Sequence, residues 1–239
     1  MVRHGPGRTV SGTGAEELSP SGERQARLLG EAWARDRARL DRVFCGPRER
    51  QRRSAEVAVR AYHARGGSCP PPWPVADLDE MRVEPLLGEH LPRLCQEHPV
   101  LLSLSAEVLA SSAPEERARN ASRLSDAVLR MWSRGQVAAP GVEPWSGFVE
   151  RVERALDLML AGAPRGARLI CFTSSGVIGV AAQLALQVDP DRALDLALQL
   201  RHAATSEFLY SWAQPHRFSL RSFNEAAHLG GEPALLAPG

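Results

Sequence analysis

The stretch ARLICFTSSG (167–176) constrains the fold more than any other part of the chain. It reads as a buried strand running into a Ser-Ser-Gly turn, and the VIGVAAQLAL that follows (177–186) reads as a buried helix. A strand buried on both faces needs helices above and below it, which is the setting of a parallel sheet. The rest of the chain supplies the alternation this demands. Residues 19–39 predict a helix with Ser19 as N-cap, Pro20 at its first position and Glu23 in its first turn. Ala26, Leu29 and Trp33 give that helix one apolar stripe. A short strand is expected at 41–46, a second helix at 48–67 closed by glycine, and a short strand at Val75–Leu78 after a Pro-rich loop. Residues 145–162 predict an amphipathic helix, with Phe148, Val152, Leu156 and Leu160 recurring every four positions. Another helix covers 189–200, and 205–213 with 218–224 read as a terminal antiparallel pair. The final GGEPALLAPG reads as a loose tail. The expectation is one α/β domain over 1–239, a three-layer α/β/α sandwich on a mostly parallel sheet. Residues 85–147, short helical patterns cut by Pro and Gly, read as a helical lid inserted into it.

Composition removes several functions. A net charge of +1 argues against nucleic-acid binding by bulk charge. All 29 basic residues are arginine, so lysine Schiff-base and Walker-type chemistry have no residue to use. Cys45, Cys69, Cys95 and Cys171 are widely spaced with no C-x-x-C pair and read as reduced thiols. His63, His90, His98 and His216 have no metal-ligand spacing, so neither a metal nor another cofactor is expected. No apolar run approaches the roughly 20 residues of a membrane span, and no secretory h-region is visible. These features lead to the expectation of a soluble cytoplasmic protein with no membrane partner.

Ligands of open parallel sheets bind where strands end and helices begin. Three such junctions carry chemistry here: Arg3-His4-Gly5 after a very short N-terminal strand, CGPRERQRRSAE (45–56) with Arg50 just past a strand, and FTSSG (172–176). Helix N-termini favour anions, a guanidinium grips phosphate by a bidentate fork, and a neutral imidazole can attack phosphorus. Together they describe an anion pocket with a nucleophile in it. The turn at 172–176 also invites a serine-hydrolase elbow, but Phe172 stands where that pattern needs its first glycine.

With VRHG at 2–5, LSPSGERQA at 18–26, DRVFCGPRERQRRSAE at 41–56, LDE at 78–80, FTSSGVIG at 172–179 and SFNEAAHL at 222–229, the sequence resembles the histidine phosphatase superfamily, with its phosphoglycerate mutase-like fold. The resemblance covers most of the chain and is weakest over 88–143. It implies that His4 is the nucleophile that becomes phosphohistidine. By the same resemblance Arg3 and Arg50 clamp the phosphoryl oxygens, and Ser174 and Ser175 bind phosphate at the helix start. Glu80, or else Glu84, is implied as the acid that protonates the leaving oxygen, a role that asks for a raised pKa. Gly5 and His202 are further candidates.

Two departures stand out. Most members carry a second histidine after the late strand; the matching position here is Ser174, as in a bacterial branch of the family. Losing a charge-assisted hydrogen bond there costs about 1.5–3 kcal/mol. His202 lies where relatives often have asparagine and is a candidate replacement for the missing imidazole. The first strand is also short, with only Met1 and Val2 before Arg3, and a start further upstream is the expectation. The implied activity is hydrolysis of small phosphate monoesters. The alternatives are a catalytically impaired protein that binds phosphate or a phosphorylated partner, and a phosphomutase. Trp73, Trp132 and Trp145, in or near the lid, are expected to be core. Cys45, Cys171 and His228 are expected to be structural, and Arg48 and Arg53 to lie at the rim.

Overall fold

The computed structural model describes residues 1–9, 16–211 and 218–236. Three short strands, β1 (Val2–Arg3), β2 (Gly7–Thr9) and β3 (Glu16–Leu18), precede an alternation of α1 (Pro20–Arg35), β4 (Arg42–Cys45), α2 (Glu49–Ala64) and β5 (Trp73–Pro74). Four helices follow without a strand: α3 (Glu84–Leu87), α4 (Leu91–Glu97), α5 (Pro99–Ala110) and α6 (Pro114–Ser133). The chain then returns to alternation with α7 (Trp145–Leu160), β6 (Leu169–Thr173), α8 (Ser175–Leu186), α9 (Pro190–Gln199), β7 (Thr205–Tyr210) and β8 (Phe218–Glu225).

Local chemistry sets the helix starts. Ser19 Oγ accepts from Gly22 N at 3.1 Å, and Pro20, which has no N–H to lose, opens α1. Asp189 caps α9 in the same way, accepting from Arg192 N at 2.9 Å. Ser174 caps α8, which therefore begins at Ser175 rather than at Val177.

The six-stranded sheet runs β5-β4-β6-β1-β7-β8. The β5–β4, β4–β6 and β6–β1 pairings are parallel; β1–β7 and β7–β8 are antiparallel. β1 is central although only two residues long: Val2 pairs with Phe172 and Thr205, and Arg3 with Thr173. Side chains alternate across the sheet, so each strand feeds two cores. Val43, Cys45 and Phe172 join Ala26 and Leu29 of α1 and Ala55 and Ala58 of α2 on one face. Phe44 and Cys171 join Leu86, Leu94, Val128, Trp132, Phe148, Val177 and Leu194 on the other. This is the expected three-layer arrangement.

Several expectations need correction. The Val75–Leu78 strand is not formed: the strand is Trp73–Pro74, and Ala76–Leu78 is a 3-10 turn. Its carbonyls are taken within the turn and by side chains instead of by a neighbouring strand: Val75 O accepts from Leu78 N at 3.2 Å, Leu78 O from Thr173 Oγ1 at 2.9 Å and Asp77 O from an Arg151 nitrogen at 3.0 Å. The β2–β3 hairpin was not anticipated; its tip, 10–15, lies outside the described residues. The C-terminal stretch is not loose over 233–236, which form a 3-10 turn tied to α1 by Gln25 Nε2 donating to Leu235 O at 2.9 Å. The end of the predicted pair at 212–213 and the tail at 237–239 lie outside the described residues. Trp132 and Trp145 are core, whereas Trp73 is 63 % exposed. Among the described residues no helix is long and apolar enough to cross a membrane.

Candidate active site

β1 hands its last residues directly to the site. His4 N donates to Thr173 O at 2.9 Å, so the nucleophile candidate leaves the sheet where β6 ends and α8 begins. His4 is 4 % exposed. Its Nδ1 lies 2.7 Å from Gly5 O. A carbonyl only accepts, so Nδ1 carries the proton and Nε2 points into the site. There Nε2 meets Glu80 Oε1 at 3.2 Å. Gly5 serves this geometry through its size: a Cβ would sit 2.6 Å from Gly22 Cα, and its N–H is held by Ser54 Oγ at 3.1 Å.

Two arginines flank the pair. Arg50, on the first turn of α2, donates from Nη2 to both Glu80 oxygens at 3.1 and 3.0 Å. Arg3 Nη1 donates to Leu200 O, and Arg3 Nη2 lies 3.3 Å from His202 Nε2. Among the described residues Arg3 Nε is buried with no hydrogen-bond partner. Burial and the nearby positive charge of Arg50 both lower the Arg3 pKa. A buried donor without an acceptor, beside a second guanidinium, is a place prepared for an anion.

Glu80, not Glu84, belongs to the cluster; Glu84 is exposed at the start of α3. The raised pKa expected for the acid is not found in this unliganded site. Burial pushes the Glu80 carboxyl up, but the hydrogen bond and charge of His4, aided by Arg50 and Arg48, outweigh it and hold the carboxyl below its ordinary value. Gln51, fully buried, packs beside the carboxylate with Nε2 3.5 Å from Glu80 Oε1, while its Oε1 accepts from Arg48 N at 3.2 Å. Sequence reading missed Gln51 and Ser54. The only sequence signal for Gln51 was a Gln three residues after a helix cap.

Ser174 is 6 % exposed, and its Oγ accepts the capping bond from Val177 N at 3.5 Å. The hydroxyl proton is left to donate elsewhere. Ser175 opens α8 beside it. His202 comes close, its ring centroid 5.8 Å from that of His4. Its Nδ1 lies 3.0 Å from His4 O, so Nδ1 carries the proton and Nε2 is an acceptor for Arg3. Burial, then Arg3, push its pKa down to about 4. In this unliganded site His202 is therefore neutral near pH 7. It holds Arg3. The loop that carries it uses a left-handed Ala203 (φ 57), tied by its N–H to Arg3 O at 3.0 Å.

Arg48 lies at the rim, its Nε donating to Asp79 Oδ1 at 2.6 Å, and Arg53 is engaged away from His4 by Glu23 at 2.7 Å. His228 is half-buried and pushed down to about 4 by desolvation. Burial pushes the Cys45 and Cys171 thiols up to about 11 and about 12, which makes them inert packing groups. Among the described residues no His, Cys, Asp and Glu cluster is arranged to hold a metal ion.

Comparison with known proteins agrees with the fold. The family model of the histidine phosphatase superfamily (branch 1) matches residues 1–130. No curated protein matches the sequence. Among solved structures, the alpha-ribazole phosphatase from Shigella flexneri is similar at 18% identity, covering 94% of this chain and 95% of its own, with a TM-score of 0.59. A mycobacterial glucosyl-3-phosphoglycerate phosphatase bound to inorganic phosphate is similar at 18% identity, with 95% and 97% coverage and a TM-score of 0.58. A phosphoserine phosphatase from Entamoeba histolytica in complex with phosphoserine gives 15% identity, 95% and 96% coverage and a TM-score of 0.57. At these identities the likeness is one of fold.

Proposed function

Because the chain belongs to the histidine phosphatase superfamily, we propose that it hydrolyses small phosphate monoesters through a phosphohistidine on His4. The observation that carries this reading is the contact of His4 Nε2 with Glu80 Oε1 at 3.2 Å, flanked by Arg50 and the unpartnered Nε of Arg3. The similar structures named for phosphatases of alpha-ribazole phosphate, phosphoserine and glucosyl-3-phosphoglycerate favour a small phosphorylated substrate.

The free site holds one proton between His4 Nε2 and the Glu80 carboxylate. An arriving phosphoryl dianion draws Arg50 onto its own oxygens and takes the free Nε donor of Arg3. Glu80 then has lost a cation and gained an anion as neighbour, so its pKa rises. The shared proton moves to Glu80 and frees the Nε2 lone pair. Nε2 attacks phosphorus; the P–O ester bond breaks, and the leaving oxygen takes the Glu80 proton. A water then attacks the phosphohistidine, Glu80 accepts the water's proton, and inorganic phosphate departs with His4 restored. The raised pKa of the acid is thus a property of the loaded site. Catalysis of this kind is mostly positioning and charge stabilisation, which suits a site built from arginines.

Ser174 favours one competing reading. It offers a hydroxyl donor without charge where most relatives have a histidine, at a cost of about 1.5–3 kcal/mol, or roughly 10–150-fold in rate. A protein that binds phosphate without turning it over would look the same. We take residues 85–147 as the lid that reads the leaving group, within one domain over 1–239. Phosphate release from an aryl phosphate by wild type, lost in folded His4→Ala, supports the phosphatase. Folded wild type that binds inorganic phosphate yet releases none favours the binding protein.

A further inference from the structure

Beyond the groups that touch phosphate, we propose that Arg151 is the positioning residue for the acid Glu80; this rests on the phosphatase reading above. Arg151 stands on α7, outside every motif that marks the site, and its side chain is 14 % exposed. Its guanidinium spans the loop that carries Glu80. Nη1 donates to Asp77 O at 3.0 Å and to Asp79 O at 2.9 Å, and Nη2 reaches Glu80 O at 3.4 Å. The charge is balanced from behind by Glu143, whose carboxylate accepts from Nε at 3.0 Å and from Nη2 at 2.8 Å. The Phe148 ring backs the guanidinium at 4.9 Å.

The remaining carbonyl of the loop turns the other way: Leu78 O accepts from Thr173 Oγ1 at 2.9 Å. Residues 77–80 are therefore gripped from α7 on one side and from β6 on the other. With the Glu80 carbonyl at the Arg151 side, its side chain projects to His4. Glu143 extends the grip, since its own carbonyl accepts from Trp132 Nε1 of α6 at 2.9 Å. One planar fork thus joins the helical segment to the loop of the acid. A lysine has three donors on one atom, too few and too close together to reach the three carbonyls and both carboxylate oxygens that the fork serves, and an apolar residue has none. Small losses of alignment at a reacting group cost large factors in rate.

The role predicts a leaving-group signature. An alkyl ester needs its oxygen protonated as it departs; a nitrophenyl ester barely does. The experiment measures kcat/KM for an alkyl phosphate and for 4-nitrophenyl phosphate in wild type, Glu80→Gln, Arg151→Met and Arg151→Lys, with melting curves for each. Arg151→Met is expected to lower the alkyl-to-aryl ratio by about 10–100-fold, in the same direction as Glu80→Gln. Arg151→Lys gives a smaller drop and carries the test if the methionine variant does not fold. Equal losses on both esters in the Arg151 variants overturn the inference and leave the phosphatase reading standing. Turnover by wild type with an unchanged ratio in Glu80→Gln overturns the acid assignment and this inference with it, and no turnover by folded wild type overturns both readings.

Discussion

Replacing Glu80 by glutamine separates the two effects of this carboxylate. In the free site it neutralises Arg50, whose Nη2 lies 3.1 and 3.0 Å from its oxygens. A phosphoryl group competes for that guanidinium and brings more negative charge beside the carboxylate. Two unit charges about 5 Å apart interact by about 3 kcal/mol at an effective dielectric of about 20, and by about 1 kcal/mol in water. Removing the charge while keeping the shape therefore tightens inorganic phosphate binding by about 1–3 kcal/mol, a factor of roughly 5–150 in Kd. On the phosphatase reading the same change removes the proton donor, so turnover of an alkyl phosphate falls by about 10²–10⁴. Titration calorimetry at pH 7 reads the first effect and phosphate release the second. The pH dependence has a defined sign. The Glu80 carboxyl is held below its ordinary value of 4.5, so it stays charged until pH falls through that lower value. Bound phosphate raises the value in the loaded site, so the repulsion is lost as pH falls from the loaded-site value through the lower free-site value, and the affinities of wild type and Glu80→Gln converge on acidification. Equal or weaker phosphate binding by Glu80→Gln at pH 7 refutes the reasoning, because it means Arg50 is not the shared partner.

Two further outcomes follow from the same geometry. Gly5→Ala places a Cβ 2.6 Å from Gly22 Cα, a backbone atom that cannot yield without moving α1. Overpacking of this kind costs about 1–3 kcal/mol, and the Tm should drop by roughly 2–12 °C; a melt within 1 °C of wild type contradicts it. His202→Leu leaves Arg3 Nη2 and His4 O unpaired, and should raise KM for a phosphate ester by roughly 10–150-fold. His202→Asn keeps an acceptor and should move KM less; an unchanged KM in the leucine variant shows that Arg3 holds its place unaided.

The parts legible in the sequence are those decided locally or by a motif. Ser19 and Pro20 announce α1 because a cap and a first-turn proline act within three residues. The apolar run at 169–173 announces β6 because burial on both faces leaves no other reading. Arg3, His4, Arg50 and Glu80 were legible by resemblance, and they converge. What stayed hidden depends on partners distant in sequence. The lowered pKa of Glu80 follows from where Arg50 and His4 aim, 30 positions away in the case of Arg50. The neutral state of His202 follows from burial against Arg3, 199 positions away. Arg151 gave no signal, since on a helix its charge reads as a solvated face. Val75–Leu78 looked like a strand because the side chains allow one, but its carbonyls are claimed by Thr173 and Arg151.

The two-residue strand β1 has a consequence for how the protein is made. His4 and the imidazole that grips its carbonyl lie 198 positions apart, and Arg3 pairs with Thr173 across the sheet. At a synthesis rate of about 5–20 residues per second, a nascent chain carries His4 for roughly 10–40 s before its last partners emerge. α1, β4 and α2 can fold against one another in that interval, since their contacts are near in sequence. The cluster around His4 cannot, because β6, α8 and the His202 loop do not yet exist. Activity should therefore appear in one late step, when the distant ends of the chain close on each other, and not grow with chain length.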